Sequence, residues 1–594
     1  MDLVGNTTRA EPIRRLGIDE KHDLEAVVSN LAAEAYKDWP NEAGFDSLTE
    51  ERGPIEISVS GHIPAWAGGS LYRTGPGVYK IEDTAVGTFY TTHWFDGLAH
   101  THRFDITPDG QSGTKMFYSS RRQSEQMAEH IKQFGDRKYF SFGQRRDPCL
   151  GLFAKIMSSW VAMRARPADK GFENISVAVH LNLPGVVAQP TGSPASQIHT
   201  PGIAGGHRVG IPQKMWITTD NCIMKQFDSE TLEPIGFATQ ESLHPDLTGP
   251  TSCAHAQRDP LTGDMFNFNL QMGRNPTYRI FRVSAATGKT DILAAIQGPG
   301  IHAAYMHSFY LSPSFVIFCI PSSHLGLRGL KVLWERNMLD AIEPFDESKK
   351  CKWFVIDRLH GRGVVAEFET DAGFFFHSVN SFEEQDDADT IVGATTLFCD
   401  VVEYPNLEIM SSLYYDVLLQ KNGAEKKFWG DPQRARAALG RLVRYRIHIP
   451  LFQEPGGSHD LSFSKILSIP APHAGELPTI NPRFATKRHR YVYSIAFFGR
   501  STLMDCIVKT DMETREALFW NTPPGHSPGE AIFVPRPDGV AEDDGVLLSV
   551  VLDGSSRTSY VVCLDARTMA ELGRGEVGFA VGLGFHGLHV AGSP

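Results

Sequence analysis

The sequence reads as an all-β protein with the architecture of a β-propeller, and three observations carry that reading. From about residue 55, short β-branched and aromatic runs alternate with turn clusters, as in "KMWITTD", "DMFNFNL", "YRIFRV", "FVIFCI", "RYVYSIAFF", "GVLLSVVLD" and "TSYVVCLD". A turn phrase of Asp, two spacers and Thr follows several of these runs, at Asp228–Thr231, Asp259–Thr262, Asp511–Thr514 and Asp565–Thr568. An Asp that opens a turn accepts hydrogen bonds from the backbone just ahead of it, so the phrase marks tight hairpins. The hairpins continue to the end of a 594-residue chain. Radial repetition lets so long an all-β chain protect its sheet edges, which a sandwich of that length cannot.

The elements follow in order. Residues 18–37 predict a helix, because Leu24, Val27, Val28, Leu31 and Ala35 recur at helical spacing. That helix belongs to an N-terminal arm over 1–54, and the propeller domain occupies 55–594. Three segments interrupt the strand pattern. "DPCLGLFAKIMSSWVAM" (147–163) is apolar and reads as helical. Residues 183–213 are rich in Pro and Gly and read as a long loop. "GLRGLKVLWERNMLDAI" (326–342) reads as an amphipathic helix carrying Arg328, Lys331 and Arg336. The interruptions define cap insertions at about 147–213 and 322–350.

Composition narrows the function classes. Apolar residues make up 41% of the chain and charged residues 21%, a globular balance, and the net charge of −12 argues against nucleic-acid binding. The eight cysteines include no C-x-x-C pair and read as free thiols in a reducing compartment. The sequence shows no signal-peptide pattern, no run of 18 apolar residues and no prenylation box. The expectation is a cytoplasmic protein.

Two motifs compete for the chemistry. Gly525-His-Ser-Pro-Gly529 matches the G-x-S-x-G nucleophile elbow. Its flanks, "NTPP" and "EAIFVPRP", are not strand and helix, and Pro528 has no N–H to offer an oxyanion. A serine hydrolase is therefore rejected. The second motif is dispersed: His255, His307, His377 and His586 each sit in an apolar, strand-like setting. Separations of 52, 70 and 209 residues forbid a local zinc-finger loop. In a propeller, four blades could each bring an imidazole to the axis. Imidazoles suit Fe, Zn, Cu and Ni, and catalytic zinc normally keeps only three protein ligands. On the residues alone, a metal site and four core histidines both remain open.

The chain resembles the carotenoid cleavage oxygenase family. The matching stretches are "GSLYRTGPG" (69–77), "HWFDGLAHTHRF" (93–104), "DPCLGLFAKIMSSW", "MHSFYLSPSFVIF", "GELPTINPRF" (475–484), "GEAIFVPRP" (529–537) and "GFHGLHV", in order along nearly the whole chain. The resemblance implies a seven-bladed propeller with axial Fe(II) on His255, His307, His377 and His586. It also implies carboxylates behind three of them, at Glu476, Glu530 and Asp220, the last standing where the family has Glu. A carboxylate on the outer imidazole N–H fixes the tautomer and raises basicity. Phe309, Phe374, Phe375 and Phe376 stand next to ligands and are candidates to line the tunnel, with ordinary core packing the alternative for each.

The activity implied is O2-dependent cleavage of a C=C bond in a carotenoid or apocarotenoid, most like that of the fungal torulene and β-carotene cleaving members. Such a substrate comes from a bilayer, so 147–163 and 326–342, with basic neighbours, are expected to make a peripheral membrane contact. A stilbene- or phenylpropanoid-cleaving dioxygenase is one alternative, marked by a polar Tyr/Lys pair that grips a phenol. A noncatalytic carotenoid-binding propeller is another, which would need no metal.

Overall fold

The computed structural model describes residues 11–592, apart from 47–48, 111–112, 136–139, 146–173, 191–213, 386–393 and 451–461. Five antiparallel sheets of four or five strands follow one another along the described chain, with one ten-stranded sheet built from both chain ends. The first comprises Ala178–Leu181, Met215–Thr218, Ile223–Phe227, Pro234–Thr239 and the short Gln189–Pro190. The second runs from Gln257–Arg258 to Thr290–Ile296, the third from Tyr310–Leu311 to Gly363–Thr370, and the fourth from Phe374–Gln385 to Ser462–Pro470. The fifth holds Glu476–Thr479, Tyr491–Ala496, Cys506–Asp511 and Ala517–Trp520.

The ten-stranded sheet joins the ends of the chain. Ile55–Gly61 pairs through Ser58–Gly61 with Glu571–Glu576 and through Ile55–Ile57 with Thr114–Arg122. The C-terminal strand Gly587–Ala591 pairs with Gly69–Val78. The sheet is therefore two meanders sharing one connecting strand. The recurring Asp turns form as their sequence requires: Thr231, Thr262, Thr514 and Thr568 donate their backbone N–H to the Asp three residues earlier.

Several expectations are corrected. The N-terminal arm packs into the body of the fold. Its helix is shorter than read, Glu20–Ala32, and Ile13–Arg15 adds a fifth strand to the fifth sheet by pairing with Ala517–Phe519. Val27, Val28, Leu31 and Tyr36 are buried in the core that also holds Trp94, Leu413 and Phe585. Glu20 is paired with Arg515 and Asp23 with His473. Residues 326–342 are not one helix but short turns, Gly326–Gly329, Lys331–Glu335 and Met338–Ala341, interrupted where Leu327, Arg328 and Arg336 adopt left-handed backbone angles. Of the loop expected over 183–213, residues 183–188 are turn and coil, Gln189–Pro190 pairs with Gly236–Phe237, and 191–213 lies outside the described residues, as does 147–163. Ser527 of the G-x-S-x-G stretch is buried in a strand, donating to Asn41 and accepting from Trp39, with no helix after it.

Leu31 tests the integrated arm. Truncating a fully buried Leu to Ala costs about 2–5 kcal/mol, so Leu31→Ala should lower the denaturant midpoint of the whole protein. An unchanged midpoint would mean that the arm folds apart from the sheets.

Candidate metal centre

Seven side chains from seven different meanders meet at one place. Asp220 lies in a turn of the first sheet, and His255 precedes the first strand of the second. His307 precedes the first strand of the third, His377 lies in the first strand of the fourth, and Glu476 opens the fifth. Glu530 and His586 come from the two halves of the ten-stranded sheet. One ligand atom from each histidine falls within 4.8 Å of the other three.

The carboxylates set the tautomers. His307 Nδ1 lies 2.7 Å from Asp220 Oδ2, His377 Nδ1 2.6 Å from Glu476 Oε2, and His586 Nδ1 2.8 Å from Glu530 Oε1. An ionised carboxylate only accepts, so each Nδ1 carries the proton and each Nε2 presents a lone pair. His377 Nε2 and His586 Nε2 are 3.1 Å apart, and so are His255 Nε2 and His307 Nε2. Facing lone pairs repel unless a cation lies between them. Neighbouring nitrogens on an ion with bonds of about 2.1 Å lie about 3 Å apart. The donor set fits a divalent metal on both counts.

Protonation agrees. Burial pushes His377 down to about 4 despite Glu476 beside it, and burial plus the surrounding imidazoles holds His255 well below the usual histidine range. Burial raises Glu476, but His377, Tyr404 and the Leu477 N–H outweigh it, leaving this carboxyl below its ordinary range. Glu530 is shifted the same way, by His586, Arg73 and the Gly587 N–H against burial. Neutral His255 and His377, with Glu476 and Glu530 ionised, are ligands and partners ready at neutral pH.

Asp220 needs neither water nor a shifted strand to replace a Glu, since its carboxylate meets His307 directly. Three residues behind the carboxylates escaped the sequence reading. Tyr305 donates to Asp220 at 2.8 Å, Tyr404 donates to Glu476 at 2.7 Å, and buried Arg73 reaches Glu530 at 3.2 Å. Tyr305 was findable, two residues before His307 on the same extended face. Arg73 stands in "LYRTGPG", where a charge amid apolar residues is a signal. Nothing local marks Tyr404. The glycines around His586 allow close approach: a Cβ on Gly587 would lie 2.6 Å from Arg73 Cδ, and one on Gly584 2.9 Å from the Thr74 carbonyl oxygen.

An apolar cavity opens beside the histidines, walled by Trp94, Phe95, Phe376, Leu413 and Phe585, with His307, His377 and His586 in its lining. Of the four expected aromatics, only Phe376 lines it. Phe309 and Phe374 are buried in one hydrophobic core and Phe375 in another. The pairing register shifts between Phe375 and Ser378, a bulge that lets adjacent residues Phe376 and His377 both face the cavity.

These features define a mostly β protein with a four-histidine candidate metal site at an apolar cavity. The chain belongs to the retinal pigment epithelial membrane protein family, whose pattern matches residues 44–591. It is 55% identical to a carotenoid dioxygenase of Neurospora crassa, over 99% of this chain and 97% of that protein. It is 48% identical to a torulene dioxygenase of Fusarium fujikuroi, over 96% and 97%. A solved Synechocystis apocarotenoid oxygenase variant shares the fold, with a TM-score of 0.68 at 20% identity over 94% of this chain and 99% of that one.

Removing the outer charges should loosen metal. Asp220→Asn, Glu476→Gln and Glu530→Gln should each weaken retention about 10–100-fold in a chelator competition. Wild-type retention in Asp220→Asn would reduce Asp220 to a turn former.

Proposed function

We propose that the protein is a carotenoid-cleaving dioxygenase that holds Fe(II) on His255, His307, His377 and His586, on the axis of a seven-bladed propeller. The observation that carries this is the convergence of four imidazole nitrogens, three with an ionised carboxylate behind, at the wall of an apolar cavity. Seven meanders that each deliver one side chain to a common point support the propeller reading. Relatives named carotenoid dioxygenase and torulene dioxygenase, at 55% and 48% identity, support the substrate class.

Fe(II) bound there supplies binding and activation of O2, and both oxygen atoms added across a C=C bond give two carbonyl products. The chain's own residues do the rest. Neutral histidines offer four donors and leave the ion's charge intact. The three carboxylates keep the protonated nitrogens turned outward, and Arg73 balances the charge that a dication leaves uncompensated. The aromatic walls exclude water and align a conjugated chain beside the site.

The cavity favours a polyene over a phenol. Among the described residues lining it there is neither Tyr nor Lys to grip a hydroxyl. Simple binding of a carotenoid would not call for four converging imidazoles.

Supply of such a substrate from a bilayer is supported by the broken segment after Leu325. Leu327, Leu330 and Leu333 are 71%, 47% and 37% exposed, interleaved with Arg328 and Lys331. No helix among the described residues is long and apolar enough to cross a membrane, so the contact we propose is peripheral.

Incubating iron-loaded protein with torulene, β-carotene, an apocarotenal and resveratrol, and identifying the aldehydes, tests the activity. Apocarotenal products from the polyenes are expected, and exclusive cleavage of resveratrol would select the stilbene alternative. Replacing Leu327, Leu330 and Leu333 with Ser should reduce cosedimentation with anionic liposomes by at least about 100-fold, since each buried side chain contributes about 1.5–3 kcal/mol. Unchanged cosedimentation would remove this patch from the membrane contact.

A further inference from the structure

The cavity wall is tied to the segment after Leu325 through one buried carboxylate. Asp96 ends the short turn Trp94–Asp96 and is 2% exposed. Its two oxygens accept from two consecutive backbone groups, the N–H of Phe142 at 2.8 Å and the N–H of Gly143 at 2.7 Å. The strip 141–144 is held on its other side by residues 336–339. Ser141 N–H donates to the Arg336 carbonyl at 3.1 Å, Met338 N–H to Ser141 at 3.0 Å and Leu339 N–H to Phe142 at 2.8 Å. Asn337 Nδ2 donates to the Gln144 carbonyl at 2.9 Å.

The ring that this strip carries stands behind the cavity lining. Phe142 packs on Phe95 with centroids 4.7 Å apart and edge-on to Tyr305 at 5.2 Å. Phe95 lines the cavity, lies parallel to the His307 ring at 6.5 Å and meets Phe376 at 5.7 Å. Tyr305 in turn donates to Asp220 behind His307.

We infer that Asp96 is a positioning residue that clamps the strip 141–144 and residues 336–339 onto the aromatic wall, and so sets how far a polyene advances past the histidines. Carboxylate bonds to buried N–H groups are charge-assisted, stronger than neutral ones and geometrically strict. A polyene offers a row of chemically similar double bonds. The bond that reacts is the one the walls place beside the site, and a wall free to move relaxes that choice. The selection of the bond rests on the function proposed above; the clamp itself does not.

Asp96→Asn is the direct test. An amide can accept one of the two N–H groups, but its own NH2 then confronts the other. In the full-length, metal-loaded protein, amide hydrogen exchange should become at least about 10-fold faster at Phe142–Gly143 and at Met338–Leu339. Cleavage at neighbouring double bonds should rise from a trace to a substantial share of products, at unchanged metal content. Phe142→Ala keeps both Asp96 bonds and removes only the ring, so it should shift the products without speeding exchange at Met338–Leu339. It also decides bond selection should Asp96→Asn fail to fold. Wild-type exchange at Met338–Leu339 in Asp96→Asn overturns the clamp. A wild-type product pattern in both variants overturns the selection. A wild-type protein that cleaves no polyene defeats the function proposed above, whereas the exchange data still decide the clamp.

Discussion

Imidazole nitrogens turned toward one another, three of them held as bare lone pairs by the carboxylates behind, are a repulsive arrangement, and the rest of the structure is organised to hold it. His377 Nε2 and His586 Nε2 face each other at 3.1 Å while the opposite nitrogen of each ring is committed to a glutamate. Neither ring can relieve the repulsion by changing tautomer without breaking that bond. Ordinary core histidines do not leave their remaining ring nitrogens facing one another, since a buried acceptor normally finds a donor. A cation resolves the conflict, and burial holds His255 and His377 below the usual histidine range, neutral and able to receive it.

Holding this arrangement demands a rigid frame, and the sheets supply it through long-range closure. His586 stands next to Gly587–Ala591, which pairs with Gly69–Val78 from the other end of the chain. Ile55–Gly61 bonds to both meanders of the same sheet. The N-terminal strand and helix add further ties to the fifth sheet. A site assembled from residues 220 to 586 therefore forms only when the chain ends have met. The donor set is complete only when all seven meanders are in place, because no single meander carries more than one of the seven side chains.

Sequence showed much of this and missed identifiable parts. The Asp turns and the β-rich runs were legible because they are local: an Asp three residues before a Thr is enough to write a hairpin turn. The four histidines and the carboxylates at Glu476, Glu530 and Asp220 were located through motifs, and their convergence is visible only in three dimensions. Tyr404, whose hydroxyl meets Glu476 from 72 residues away, had no local signature. The four aromatics were chosen because they stand near His307 and His377 in sequence, and nearness along the chain does not decide which face a ring takes; only Phe376 reaches the cavity. The segment 326–342 has the apolar spacing of a helix, yet left-handed residues at Leu327, Arg328 and Arg336 break it into turns. That packing constraint leaves no trace in periodicity.

X-ray absorption at the iron edge, on protein reconstituted anaerobically with one equivalent of Fe(II), addresses the four-histidine centre most directly. The expected spectrum shows a first shell with four imidazole nitrogens at about 2.1 Å and the outer-ring scattering that imidazole gives. Iron bound without that four-imidazole shell, or no iron retained by the folded protein, would contradict it.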